Sequence, residues 1–210
     1  MKKEIYEKVI YHVFTKSISE YIIFRDKMDY RRILEAFEFY KFRRNRSFSY
    51  YRRLSEIEKE NLYKGEKIVK IIAYCLMPTH IHLIIFNETE NGVSIFMKNV
   101  LDSYTRYFNT KIKRKGPLWE SRFKVVVIEN DEQLLHLTRY IHLNPVTAYL
   151  VEKPEDWEFS SYKEYLNLID KNICEFQDII EIKENEYKKF VEDRISYQRE
   201  LAKIKKMIFD

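Results

Sequence analysis

The chain has 210 residues, of which 45% are hydrophobic and 16% aromatic, and its formal net charge at pH 7 is +5. This hydrophobic content excludes a disordered chain, and the length suits one sizeable folded core. Two cysteines and three glycines exclude a disulfide framework, a cysteine zinc site and a glycine-rich phosphate loop, so we expect Cys75 and Cys174 to be reduced packing residues. The N-terminus has no apolar signal core and no long uncharged apolar run occurs, which predicts a cytoplasmic protein that does not contact membranes.

The first predicted elements are a strand and a helix. Residues 11–16 are β-branched and aromatic, as is typical of a strand. Asp26 is a suitable N-cap for a helix whose apolar residues recur at helical spacing to about residue 43. After a charged segment, residues 67–76 and 80–86 predict two antiparallel strands joined by a turn at Pro78-Thr79.

The second half of the sheet follows the same order. Residues 93–113 predict an amphipathic helix that Gly116-Pro117 stops, and residues 123–128 predict a fourth strand. Asn130 or Asp131 then caps a helix that we expect Pro145 to end. The fold class is therefore α+β, a ferredoxin-like split βαββαβ with a four-stranded antiparallel sheet and its helices on one face. Right-handed crossovers place the first and third strands at the centre.

The most informative motif is His80-Ile81-His82, at the start of the third predicted strand. Residues two apart on a strand point to the same face, so the two imidazoles can bind one divalent metal ion. A pair of hydrogen-bonded histidines on a half-exposed strand is the alternative. The topology leaves open whether the pair lies below a helix or faces solvent and ligand.

A second polar stripe lies on the helix predicted after the fourth strand. Residues four apart share a helix face, so His136, Tyr140 and Asn144 present a hydroxyl and an amide together. Pro145 disfavours helical geometry at Asn144, which we expect to lie near the helix end. A capping asparagine beside a core tyrosine is the structural alternative.

Six motifs in register resemble the single-tyrosine HUH transposases, in particular the branch associated with repetitive extragenic palindromes (REP). The resemblance runs from about residue 9 to 165 and divides the chain into a nuclease domain, residues 1–165, and a helical C-terminal extension, residues 166–210. The motifs are Tyr11-His12-Val13, Ile23-Phe24 with Asp29-Tyr30, Met77-Pro78-Thr79-His80-Ile81-His82-Leu83, Gly116-Pro117-Leu118-Trp119-Glu120-Ser121-Arg122-Phe123, Tyr140-Ile141-His142-Leu143-Asn144-Pro145-Val146 and Trp157-Glu158-Phe159-Ser160-Ser161-Tyr162.

The resemblance implies a role for each site residue. Tyr140 would be the nucleophile, and His80, His82 and Asn144 would hold a divalent metal, for which Mg²⁺ or Mn²⁺ suits the donors. The reaction would cleave and rejoin single-stranded DNA beside a hairpin through a 5′-phosphotyrosine. Since free tyrosine has a pKa near 10, Tyr140 needs the metal or a base, and His136 is a candidate helper.

Two basic segments predict contact with single-stranded or hairpin DNA. Residues 41–53 carry six cations and no acid, interleaved with aromatic residues, and a second cluster precedes Gly116. A solvated helix end is the alternative for each segment. Trp119 and Phe123 could serve the same role or belong to the core. The candidate DNA-binding residues are Arg43, Arg44, Arg46, Arg52, Arg53, Lys113, Arg114, Lys115 and Arg122.

Other functions remain open from the residues alone. The first is a DNA-hairpin-binding protein of the same fold without cleavage, which would not need Tyr140. The second is a zinc hydrolase that uses His80, His82, His136 or His142. Tyr104 and Tyr107 compete with Tyr140 as nucleophile, although their spacing matches a core stripe. Residues 179–210 predict one or two amphipathic helices that cover the core, bind DNA or mediate self-association, and the protein is a monomer or a homodimer.

Overall fold

The computed structural model describes residues 5–62, 65–170 and 172–209. The first predicted domain begins and the second ends outside the described residues, at residues 1–4 and at Asp210. The strands are β1 (Ile10–Lys16), β2 (Val69–Met77), β3 (His80–Asn87) and β4 (Lys124–Val127). The helices are α1 (Lys27–Tyr40), α2 (Phe48–Tyr51), α3 (Glu56–Leu62), α4 (Gly92–Lys111), α5 (Asp131–Thr147), α6 (Tyr162–Tyr165), α7 (Glu184–Glu192) and α8 (Ile195–Phe209).

The four strands form one antiparallel sheet in the order β2-β3-β1-β4. The predicted α+β class and the central position of the first and third strands are confirmed. The two-residue turn at Pro78-Thr79 also joins β2 to β3 as predicted. The charged segment between α1 and β2 contains two short helices, α2 and α3, that the sequence analysis did not predict.

Helices cover both faces of the sheet. Tyr74 on β2 pairs with Leu83 on β3, and the Tyr74 ring contacts Phe37 of α1, which packs against α4. The two crossover helices therefore share one face, as predicted. Alternation along β3 turns His82 to the opposite face, where its ring contacts Tyr140 of α5. This settles the question that topology left open, because the histidine pair faces α5.

The helix α5 extends further than the sequence predicted. Asn130 is its N-cap and accepts a hydrogen bond from the Gln133 amide, as expected. Pro145, however, lies inside the helix, which ends at Thr147. A proline in a helix interior removes one hydrogen bond and costs about 3 kcal/mol. Burial of Val146 and the bond from the Ala148 amide to the Asn144 carbonyl offset that cost. Asn144 is thus helical and lies in the last turn of α5, near the helix end as expected.

The outer edge of β2 is covered by the segment that follows α5. The Leu76 amide donates to the Phe159 carbonyl, and the Ser161 amide donates to the Tyr74 carbonyl. The Trp157 indole donates to the Leu76 carbonyl at 3.0 Å. Further along, the Glu175 amide donates to the Ile71 carbonyl and the Tyr165 hydroxyl to the Ile72 carbonyl. The backbone groups of β2, which would otherwise be an open sheet edge, are therefore satisfied by residues 157–165 and by Glu175.

Helices α7 and α8 pack against α5. The buried Tyr187 hydroxyl lies 2.6 Å from Nδ1 of His142, and the Arg139 guanidinium lies 4.1 Å from the centre of the Phe190 ring. Arg199 of α8 donates to the Val151 carbonyl at 3.3 Å. Residues 179–210 were predicted to form one or two helices, and they form two, α7 and α8, which pack against α5. The division into domains 1–165 and 166–210 stays a prediction.

Cys75 and Cys174 are both free and buried, in agreement with their predicted packing role. Within the described residues, no helix combines the length and the apolar character that crossing a membrane would require. The interior is otherwise dominated by aliphatic and aromatic side chains from the sheet, α1, α4 and α5.

The buried ring of His142 makes stability depend on pH. Burial lowers the pKa of His142 to about 3. The unfolded chain therefore takes up a proton below the ordinary histidine pKa of about 6.5 that the folded chain does not. The contribution of His142 to stability is complete above that value and falls as the pH drops toward its folded pKa.

When the pH is lowered from about 7.5 to about 5, we expect the free energy of unfolding to fall by about 2 kcal/mol less in His142→Gln than in the wild type. Urea titrations of both proteins at the two pH values measure this. Other buried histidines titrate in both proteins and cancel in the comparison. An identical pH dependence in the variant would contradict the argument.

Candidate active site

Three histidines lie side by side on the sheet face that α5 covers. His80 and His82 project from β3, with ring centroids 5.1 Å apart, and His12 projects from the neighbouring strand β1. The register pairs Phe14 of β1 with His82, so His12 lies one side-chain step along the same face. The His12 and His82 rings are stacked with centroids 5.4 Å apart. The predicted histidine pair is therefore part of a triplet.

Each histidine of the predicted metal pair has a hydrogen-bond contact at Nδ1. His82 Nδ1 lies 3.1 Å from Nε2 of His12, and His80 Nδ1 lies 3.0 Å from the Thr79 hydroxyl. Contacts at Nδ1 leave the Nε2 atoms of both rings for another ligand. Metal-binding histidines in proteins have this arrangement, in which the second ring nitrogen is held by a neighbouring group.

The three rings are neutral near neutral pH. Burial lowers the pKa of His12 to about 4. Burial and the positive charge of Lys16 lower the pKa of His80 to about 4. For His82, burial and the neighbouring His80 and His12 lower the pKa to about 3. Only a neutral imidazole can donate a lone pair to a metal, so the site is suited to a cation.

Tyr140 lies directly across from the histidines. Its ring meets the His82 ring edge-on with centroids 5.9 Å apart, and 43% of the residue is exposed to solvent. Burial of the remainder, with the nearby Cys75 thiol, raises the pKa of Tyr140. The hydroxyl is thus accessible to a substrate but stays protonated without further electrostatic help.

Asn144, the third predicted ligand, lies one turn beyond Tyr140 on α5. Its Nδ2 atom is buried and has no hydrogen-bond partner among the described residues. The Nδ2 hydrogens can only donate, so a water or a phosphate oxygen would satisfy them, while a divalent metal would bind the amide oxygen Oδ1. Two neutral imidazoles and one amide oxygen also form a donor set that Mg²⁺ or Mn²⁺ accepts. The residues present therefore fit a divalent metal.

The two histidines of α5, His136 and His142, contact other side chains and not the β3 histidines. His142 is completely buried, and its ring nitrogens contact the hydroxyls of Tyr187 and Ser161 at 2.6 and 2.8 Å. His136 is exposed, and its Nδ1 accepts from the Arg139 guanidinium at 2.7 Å. Within residues 5–62, 65–170 and 172–209, no three His, Cys, Asp or Glu side chains form a metal-binding group. This geometry gives no support to the alternative of a zinc hydrolase.

A pocket of about 290 Å³ opens beside Tyr140. It lies between the exposed strand β4 and the N-terminal half of α5. His12 and His136 reach its wall, so the site has an open side next to the candidate nucleophile. The lining residues are His12, Val126, Val127, Ile128, Gln133, His136, Leu137 and Tyr140. In this arrangement the proton-accepting Nδ1 of His136 is already taken by Arg139, which makes it a poor base for Tyr140.

The competing tyrosines lie in the core. The Tyr104 hydroxyl is buried and donates to the Ile23 carbonyl at 2.6 Å, while Tyr107 donates to the Asp29 carboxylate at 2.9 Å. Both side chains belong to α4, on the face of the sheet opposite the histidines. Their amphipathic spacing indicated core positions, and the structure agrees.

Several arginines of the first basic segment have contacts within the protein. Arg43 pairs with Glu66 and Arg52 with Glu35, and both arginines remain exposed. Arg44 donates to the Phe39 carbonyl, and the Arg46 guanidinium lies 5.4 Å from the Tyr50 ring centre. Arg53 is exposed. Exposed ion pairs are weak and can be exchanged for phosphate contacts, so these residues stay predicted DNA ligands.

The second basic cluster divides into two kinds of residue. Lys113, Lys115 and Arg122 are exposed. Arg114 instead donates to the Pro117 carbonyl at 2.6 Å and to the Asn109 amide oxygen at 3.1 Å. These bonds close the loop after α4. Trp119 is half-buried and donates to the Thr105 hydroxyl at 3.0 Å, as expected for a core residue.

No role for His12 was predicted from the sequence. A single histidine on a strand has no partner at recognisable spacing, so Tyr11-His12-Val13 carried no functional prediction beyond the motif itself. The contact with His82 spans 70 positions in sequence. It could have been found by combining the predicted β1-β3 pairing with the alternation of faces, which places His12 and His82 together.

A ferredoxin-like sheet that presents a histidine pair to a tyrosine on the facing helix is the arrangement of a single-tyrosine transposase. Residues 6–144 match the family described as "Transposase IS200 like". Since this match covers well over half of the chain, the protein belongs to the IS200-like transposase family.

Individual proteins are also similar to parts of this chain. A candidate REP-associated tyrosine transposase of Haemophilus influenzae is 30% identical over 101 residues, which cover 43% of this chain and 57% of that protein. The match thus spans less than two thirds of the relative's length. The solved structure of a REP-associated tyrosine transposase bound to a REP hairpin superposes with a TM-score of 0.52 at 16% identity, covering 83% of this chain and 95% of that one. This likeness shows the shared fold. The crystal structure of a candidate transposase from Deinococcus radiodurans has a TM-score of 0.37 at 15% identity, over 67% of this chain and 95% of that one.

The loop contacts of Arg114 predict opposite behaviour for two neighbouring cations. Arg114→Ala removes hydrogen bonds that close the loop, so we expect the free energy of unfolding to fall by about 1–2 kcal/mol. Arg122→Ala removes an exposed side chain and should change it by less than about 0.5 kcal/mol. Urea unfolding of both variants tests this, and equal effects would contradict the assigned structural role of Arg114.

Proposed function

We propose that this protein is a DNA endonuclease and strand transferase that cleaves and rejoins single-stranded DNA beside hairpin sequences. Tyr140 is the nucleophile, and the intermediate is a 5′-phosphotyrosine. The observation that carries this proposal is the position of Tyr140, which is partly exposed and lies against a pair of neutral histidines. Membership of a transposase family supports the reaction class.

The reaction exchanges one phosphodiester bond for another. The Tyr140 hydroxyl loses its proton to solvent and its Oη atom attacks phosphorus. The bond from phosphorus to the 3′ oxygen breaks, and that oxygen takes up a proton from solvent and leaves as a 3′-hydroxyl. The bond to Tyr140 keeps the 5′ phosphate activated, so a 3′-hydroxyl can reverse the step on the same or another strand. Cutting and rejoining therefore need no external energy source.

His80, His82 and Asn144 would hold the divalent ion, Mg²⁺ or Mn²⁺. When bound, the ion supplies positive charge that stabilises the phosphate and the Tyr140 phenolate during the reaction. The neutral imidazoles leave that charge undiminished. The strand β3 and the helix α5 are rigid elements, so they fix the histidines and Tyr140 relative to each other before DNA arrives.

The DNA partner is held by charge. The exposed arginines and lysines of both basic segments lie outside the histidine site and would contact phosphates, which positions the strand without selecting its sequence. The pairing of Arg43 with Glu66 and of Arg52 with Glu35 costs little to open at the surface. A cytoplasmic location and a monomeric or homodimeric state are part of the same proposal.

A covalent adduct is the direct test of the nucleophile. We expect the purified protein with Mn²⁺ and a library of single-stranded hairpin oligonucleotides with randomised flanks to form an adduct that survives denaturation. A 3′ label should stay with the protein and a 5′ label should not, because the 5′ phosphate of the downstream fragment is attached.

Tyr140→Phe should abolish the adduct, while Tyr149→Phe, which changes another exposed tyrosine just beyond α5, should leave it intact. Hairpin binding without any adduct in the wild type would favour the alternative, a DNA-binding protein of this fold that does not cleave. An adduct that persists in Tyr140→Phe would move the nucleophile to another residue.

Removal of the metal tests the histidine pair. With excess chelator we expect adduct formation to fall by at least about 100-fold, in line with the loss of a main source of transition-state charge stabilisation. Addition of Mn²⁺ should restore it. His82→Ala should reproduce the loss at every Mn²⁺ concentration while hairpin binding continues, as measured by fluorescence anisotropy. Full activity in chelator would exclude the metal role of His80 and His82.

A further inference from the structure

We propose that His12 is a positioning residue that holds His82 in the orientation and tautomer needed to bind the metal. This inference rests on the proposed function, because His82 is one of the residues proposed there to bind the metal. His12 does not belong to the predicted ligand set, and it reaches the site from a different strand.

The geometry fixes the two rings against each other. Nε2 of His12 and Nδ1 of His82 are 3.1 Å apart, and the ring planes differ by 13°. The Phe14 ring stacks on His12 with centroids 4.9 Å apart and also lies 5.9 Å from the His82 ring, so it packs against both imidazoles. Because β1 and β3 are the two central strands, the backbone positions of both histidines are held by ladder hydrogen bonds on either side.

The chemistry of the contact determines which nitrogen is left for the metal. Two imidazole nitrogens at hydrogen-bond distance share one proton, since one must donate and the other must accept. If His12 Nε2 accepts, His82 carries its proton on Nδ1 and presents the Nε2 lone pair to the metal. His12 then carries its own proton on Nδ1, the nitrogen not engaged with His82. Thr79 offers the same kind of partner to Nδ1 of His80.

Two other roles for His12 fit the contacts less well. A ligand role would require a ring nitrogen with a free lone pair, but Nε2 contacts His82 and Nδ1 carries the proton when Nε2 accepts. The part of the chain that the structure describes also contains no group of three His, Cys, Asp or Glu side chains suited to a metal. A packing role would be filled equally by an apolar ring, which would leave the His82 Nδ1 proton without its partner. The hydrogen bond is therefore the property that sets histidine apart at this position.

The test measures the affinity of the full chain for Mn²⁺ in the absence of DNA, by isothermal titration or by electron paramagnetic resonance. His12→Phe keeps a ring on Phe14 but loses the hydrogen bond, and we expect Mn²⁺ binding to weaken by about 10–100-fold. His12→Gln keeps an acceptor and should restore part of that loss. His136→Phe is the matched control, because it changes another histidine of the Tyr140 pocket whose Nδ1 contacts Arg139, and it should bind Mn²⁺ as the wild type does.

Thermal unfolding without metal separates positioning from folding. The expected result is that His12→Gln and His12→Phe melt near the wild type while their Mn²⁺ affinities differ. If His12→Phe does not fold, the isosteric pair His12→Gln and His12→Met gives the same comparison, with and without an acceptor. Wild-type affinity in the variants that lack an acceptor overturns the inference.

The failure of the inference can be told apart from failure of the proposed function. If the wild type binds no Mn²⁺, or if His82→Ala leaves its affinity unchanged, then the metal role of His82 is wrong and the role of His12 falls with it. If affinity depends on His82 and the acceptor-free variants at position 12 bind Mn²⁺ normally, only the inference about His12 is overturned.

Discussion

The alternation of side chains along β3 is the constraint on which the site depends. Ile81, Leu83 and Ile85 are completely buried on the face that packs toward α1 and α4, so the hydrophobic core determines the register of this strand. With that register fixed, His80 and His82 must project to the other face, toward α5. A slip of one residue would exchange the two sets and place imidazoles in the core. The free energy of core burial therefore also fixes the position of the histidine pair.

Helix α5 contributes in a complementary way. Its apolar side chains anchor it on the sheet, and Tyr140 projects from it toward His82 while staying partly open to solvent. The same partial burial keeps the three histidines neutral and the tyrosine protonated. The free protein thus holds lone pairs ready for a cation but does not hold an ionised nucleophile. In the function proposed above, the charge of the divalent ion would activate Tyr140.

Local patterns were sufficient for most of the fold. The order of strands and helices, the hairpin at Pro78-Thr79 and the N-caps Asp26 and Asn130 follow from the periodicity and cap chemistry of short segments. The end of α5 was predicted wrongly at Pro145, because tertiary burial of the following turn outweighs the local cost of a proline. The role of His12 follows only when the predicted β1-β3 pairing is combined with the alternation of faces, because its partner lies 70 positions away in sequence. The role of Arg114 depends on the conformation of a closed loop, which no periodic pattern indicates.

The segment that covers β2 determines whether the sheet can pair with a strand of another chain. An exposed edge strand is a template for another strand, and β2 is the longest and most apolar edge of this sheet. Because residues 157–165 and Glu175 occupy its backbone groups, growth of the sheet on that side is blocked by the chain itself. A shortened chain that ends before Trp157 would expose nine residues of β-prone sequence and would be expected to aggregate. The residues that follow α5 thus protect the sheet from pairing at its own edge.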